Sequence, residues 1–138
     1  MNDQRELFPS GLSRRLYRQL AECAAAAESR PIEGLLQGAE SHLERIRQVS
    51  LRSNTVNVRL AEAIVIVVRS VAAEWEQLPA SAWPWLRGAI HYFVHSTDEQ
   101  PDFASPIGFE DDAEVLNACL RVAGWSHWCL KPEDYDSV

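Results

Sequence analysis

The chain has 138 residues, 46% of them hydrophobic and 24% charged, which is the composition of one folded domain with a core and excludes a disordered chain. Its formal charge of -7 opposes a phosphate backbone, whose affinity comes from Lys and Arg releasing counterions, so no nucleic-acid partner is expected. The longest apolar run, residues 63–68, lies between Glu62 and Arg69 and falls far short of the roughly 20 residues that span a bilayer, so no transmembrane segment is expected.

Residues 1–9 carry charge but no apolar stretch, so they read as a tail and not a secretory leader, and the chain is expected to be cytoplasmic. Three cysteines, Cys23, Cys119 and Cys129, cannot all pair within one chain and form neither a CxxC pair nor a zinc framework. They read as reduced thiols.

Over residues 10–29, Leu12, Leu16, Leu20, Ala24 and Ala27 recur at steps of four and three and define a first helix. Pro31 lacks an N–H and breaks the chain before Leu35, Leu36, Ala39, Leu43, Ile46 and Val49 resume the same period in a second. Asn54 is the expected N-cap of a third helix with two apolar stripes: Val58, Ala61, Val65, Val68, Ala72 and Trp75, then Leu60, Ile64, Val67 and Val71. A helix apolar on two faces belongs in the middle of a bundle. The β-branched run 64–68 would also suit a buried strand, but the length of the pattern and its flanking Ala and Glu residues favour helix.

Ser81 is placed to cap a fourth helix, with Pro84 tolerated in the first turn and Leu86, Ile90, Phe93 and Val94 facing the core; its expected end is near His95. Residues 96–109 contain Pro101, Pro106 and Gly108 without a helical period and read as a long, Asp-containing loop, a kind of segment that often carries function. Glu110, Asp111 and Asp112 put negative charge in the first turn of a fifth helix, where the macrodipole and the free N–H groups favour it, and Gly124 is placed to stop that helix. Val115, Leu116, Cys119, Leu120 and Ala123 should face inward. Residues 125–138 combine two tryptophans with an acidic end and read as a surface segment and tail. The expected fold is all-α: a single-domain antiparallel bundle of about five helices over residues 10–124.

Tyr92-Phe93, Asp98, Pro101-Asp102-Phe103 and Gly108-Phe109-Glu110-Asp111-Asp112-Ala113, in this order and spacing, resemble the YkvA-like bacterial family, a helical domain of unknown function. The resemblance covers residues 85–122. The chain departs from the family pattern at Ser96, where a Pro is usual, and at Glu99, Gln100 and Glu110, where apolar residues are usual. Those departures make the loop more polar. The resemblance implies no established chemistry, and the peripheral inner-membrane contact suspected for some relatives is opposed here by the acidic charge.

Arg87, His91 and His95 stand at i, i+4 and i+8 on the fourth helix, in one line running toward Asp98. Two histidines one turn apart can share a divalent metal, and Asp98, Asp102, Asp111 and Asp112 are carboxylates that a folded loop would bring alongside, in a regulatory site or a metal-dependent hydrolase. The competing reading is structural: histidines near a helix C-terminus suit the dipole, and loop aspartates cap helices or bond their own backbone. That reading is preferred, and no cofactor is expected. Tyr92-Phe93-Val94 between the histidines excludes an HExxH protease. Cys119 lies on an apolar stripe and reads as core, while Cys129 beside His127 is the remaining nucleophile candidate.

Trp83, Trp85, Trp125 and Trp128 are candidates for an interaction surface, because Trp anchors interfaces. Residues two apart on a helix diverge by about 200°, so only one of Trp83 and Trp85 packs fully on the core face of their helix. The preferred function is therefore a non-enzymatic interaction or scaffold module whose partner is another protein or a second copy of itself, as a homodimer.

Overall fold

The computed structural model describes residues 8–52, 56–99 and 109–135, with backbone alone at 96–99. Among the described residues the elements are five α-helices and four short 3-10 turns, with no strand. The helices are α1 (Arg14–Ala26), α2 (Ile32–Ser50), α3 (Val58–Ala73), α4 (Trp83–Glu99) and α5 (Glu110–Val122). No helix among these residues is long and apolar enough to cross a membrane.

Local chemistry accounts for most boundaries. The Ser13 hydroxyl accepts a hydrogen bond from Leu16 N at 3.1 Å and opens α1. Pro31 stands at the N-cap position of α2, where a missing N–H costs nothing. The run 64–68 is helical, as its spacing predicts. The cap of α3 is Asn57 and not Asn54, which lies outside the described residues; the Asn57 side chain accepts from Leu60 N at 3.1 Å. Helix α5 ends in a Schellman motif: Gly124 has φ 78°, Trp125 N donates to Leu120 O at 2.9 Å, and Gly124 N donates to Arg121 O at 3.1 Å.

Two expectations about α4 change. Residues 80–82 form a 3-10 turn ahead of the helix, and α4 continues past His95 to Glu99. Ser96, Thr97, Asp98 and Glu99 hold no Pro or Gly that would stop it, whereas Pro101 disfavours helical geometry at the residue before it. The rest of the expected loop, residues 100–108, lies outside the described residues.

The middle position belongs to α4 and not to α3. Helix α4 packs against α1, α2 and α5, whereas α3 packs against α2 and α5. Both apolar stripes of α3 are used, since Leu60, Ala61, Ile64, Val65, Val67, Val68 and Val71 are buried. A third stripe, however, faces solvent. Helix α4 can be central because it offers small residues as well as large: Leu86, Ile90 and Phe93 fill the core, and Gly88 lets α1 approach closely.

After α5 the chain does not simply trail away. Asn117 clamps Leu130 from both sides, donating to its carbonyl at 2.8 Å and accepting from its N–H at 2.7 Å. Leu130 is buried, and Trp125, Trp128, Cys129 and Tyr135 pack against the core.

Candidate functional site

The Arg87–His91–His95 line runs up the face of α4 that meets the corner between α1 and α2. Arg87 is used structurally. Its Nε donates to Arg30 O at 3.1 Å, and its guanidinium lies 5.4 Å from the centre of the Trp75 ring. His91 and His95 bring their rings to 4.1 Å between centroids. His91 is held below the ordinary imidazole range by burial, then by the neighbouring His95, then by Arg30. It is therefore neutral at pH 7.

The ring of His91 is partly buried beside His95. Its Nδ1 is buried and finds no hydrogen-bond partner among the described residues. A histidine that binds metal through Nε2 normally donates its Nδ1 proton to a carboxylate or carbonyl, which fixes the tautomer and raises the basicity of the ligand. Among the described residues no such acceptor meets Nδ1. Among the described residues no three His, Cys, Asp or Glu side chains lie where they could hold an ion together. Asp98 falls in the last turn of α4, and its side chain and all of Asp102 lie outside the described residues.

Asp111 and Asp112 are placed elsewhere, beside Tyr92 on a different face of α4. Asp112 is 3% exposed, in the first turn of α5, where the helix dipole offsets part of the cost of burying a carboxylate. Asp111 reaches Arg15 of α1 at 3.5 Å in a pair open to solvent on both sides. The Tyr92 phenol is pushed well above its ordinary value by burial, then by the charges of Asp112 and Asp111. The residue at the N-cap position of α5 is Phe109, without a side-chain cap bond. Tyr92, Asp111, Asp112 and Arg15 thus join α4, α5 and α1, with the phenol locked in its protonated form.

The thiols are bound into the packing. Cys119 is fully buried, donates to Trp85 O at 3.3 Å, and is pushed far from thiolate by its burial. Cys129 donates to Asn117 O at 3.6 Å, and burial raises it too. Neither has the low pKa of a catalytic nucleophile.

The four candidate interface tryptophans are each half-buried against the core. Trp83 stacks on Trp75 at 5.4 Å with an interplanar angle of 13°, and its Nε1 donates to Trp75 O at 3.0 Å. Trp85 lies 5.8 Å from Tyr17. Trp125 and Trp128 meet edge to face at 3.7 Å, with His127 5.8 Å from Trp128. The divergence of Trp83 and Trp85 is met by the turn after α3 on one side and by α1 on the other.

Two residues matter that the sequence did not single out. His42 is fully buried, edge-on to Phe93 at 5.1 Å, with Nδ1 3.1 Å from an Arg45 nitrogen. Its signal was its place one turn from Ala39 and Ile46 on the apolar stripe of α2. Ile66 is 57% exposed in the middle of α3, and it belongs to neither apolar stripe of that helix. It borders a shallow hollow of about 320 Å³ lined by Arg59, Glu62, Ile66, Val67, Leu130 and Tyr135. Comparisons with protein-family models, with curated proteins and with solved structures return no match for this chain.

Proposed function

We propose that this chain is a non-enzymatic helical interaction module that associates with a second copy of itself in the cytoplasm. The observation that carries the proposal is Ile66: a large β-branched side chain, 57% exposed, on a helix whose two apolar stripes are already packed. The burial that pushes the Cys119 and Cys129 thiols away from thiolate favours binding over nucleophilic catalysis at those two positions. Cys23, Cys119 and Cys129 are thiols outside any disulfide, which suits a reducing compartment. Membership of the YkvA-like family is part of the same proposal, supported by the placing of Tyr92 beside Asp111 and Asp112, three residues of its pattern.

Sedimentation equilibrium tests the reading. The mass should rise toward twice the 15.6 kDa chain as concentration increases. A protein that stays monomeric from micromolar to near-millimolar concentration is not a self-associating module.

A further inference from the structure

We infer that two copies meet through the outward stripe of α3, running antiparallel about a two-fold axis beside Ile66. The inference rests on the self-associating reading above and adds to it a face and a geometry.

The stripe consists of Arg59, Glu62, Ile66, Arg69 and Ala73, at steps of three and four, which is the spacing of a seam along one helix. Its charges are arranged in opposite signs about Ile66. With a rise of about 1.5 Å per residue, Glu62 lies about 6 Å to one side of Ile66 and Arg69 about 4.5 Å to the other. Turning a second helix antiparallel about Ile66 brings Glu62 to within about 1.5 Å of the level of Arg69 in the second copy, and the same contact repeats by symmetry. It also sets Arg59 level with Ala73, a small residue that leaves room for the long side chain. A parallel alignment would instead set Glu62 against Glu62 and Arg69 against Arg69, which is unfavourable at close range. The charge pattern therefore selects one occupant, a second copy, and one orientation.

The same charges are already steadied from within. Glu62 pairs with Arg47 of α2 at 3.2 Å, and Arg69 pairs with Glu40 at 2.7 Å. Contact between copies would join these pairs into a network of four alternating charges on each side of the axis. Opposite charges in a network hold their geometry better than isolated exposed pairs. The apolar contribution is small, one Ile and its neighbours, so the association should be weak and concentration-dependent.

Five variants read this geometry. Ile66→Glu should raise the dissociation constant by about tenfold or more. Ile66→Cys should give a covalent dimer on mild oxidation beyond that formed by the wild-type chain, because a residue beside a two-fold axis meets its own copy at disulfide distance. Glu62→Arg and Arg69→Glu should each weaken association, and the double exchange should restore it, since only the antiparallel contact pairs these two positions. Circular dichroism checks that each variant keeps its helices. If the wild type dimerises but Ile66→Glu leaves the dissociation constant unchanged, or Ile66→Cys fails to cross-link, this face is wrong while self-association stands; and if the double exchange fails to restore association even with Arg47→Glu and Glu40→Arg added to keep the pairs within each copy, the antiparallel orientation is wrong. A wild type that never dimerises overturns both.

Discussion

Gly88 of α4 lies so close to Ala24 of α1 that a methyl group added at Gly88 would meet Ala24 N at 2.9 Å and Ala24 Cα and Cβ at 3.0 Å. Two of those three atoms are backbone, which cannot swing aside as a side chain can. Gly88→Ala gains about 1 kcal/mol of helix propensity but forces α1 and α4 apart, and overpacking of this kind costs about 1–3 kcal/mol. The expected result is a net loss of stability in urea unfolding. Adding Ala24→Gly should restore only part of it, since only the Cβ contact is removed. A Gly88→Ala protein as stable as the wild type would show that α1 recedes freely.

Asn57 should be the more costly cap to lose. It is buried and accepts from Leu60 N, so Asn57→Ala should cost about 0.5–2 kcal/mol and leaves that N–H without its acceptor away from water. Ser13→Ala removes the equivalent bond at the exposed start of α1 and should cost less, because water can replace the hydroxyl. Urea midpoints of the two variants decide the order.

His91 should shape the acid limb of stability. Its folded pKa lies below the unfolded value of 6.5, so below that pH the unfolded chain takes up a proton more readily than the folded one. Stability from this group is complete above pH 6.5 and is lost as pH falls from 6.5 toward the depressed folded value. His91→Gln should flatten that part of the profile, measured by urea unfolding across a pH series. An unchanged slope would mean that the imidazole is not held neutral by the fold.

Tyr92 acts at the other end. Its folded pKa is raised, so above its ordinary value of 10.0 the unfolded chain ionises first and folding weakens as pH rises. Tyr92→Phe should reduce the loss of stability above pH 10, because it leaves nothing at that position to ionise. The test is thermal unfolding of both proteins in alkaline buffers; equal losses would remove Tyr92 from the account.

Much of the helical framework could be read from periodicity, because apolar residues at every third or fourth position line up on one face of a helix and scatter across both faces of a strand. The Gly124 stop and the helical state of residues 64–68 followed from local rules alone. The position of α3 did not, since being apolar on two faces fits both a central helix and one with a single outward stripe; the absence of Ile66 from both stripes was the clue. Asn54 and Asn57 are both competent caps, and only the register of the helix selects between them. Tyr92 and Asp112 are twenty residues apart in sequence, and what joins them is the packing of α4 on α5, which no local pattern encodes. The two histidines were read from spacing, but that His91 Nδ1 meets no partner among the described residues depends on what surrounds the ring.

The two hydrogen bonds between the Asn117 amide and the Leu130 backbone set the exchange behaviour of the C-terminal segment. Through them a side-chain amide takes the place that a neighbouring strand would fill, and satisfies both polar groups of one backbone residue. In deuterated buffer, the amides of Trp128, Cys129 and Asp134 rest on single turn bonds and should exchange early. The Leu130 amide should persist well beyond its neighbours, released only when α5 itself opens. Asn117→Ala would erase that one slow signal and free the segment that carries Leu130 and Tyr135, two walls of the hollow beside Ile66. A single amide side chain on α5 thereby controls the shape of a surface belonging to α3.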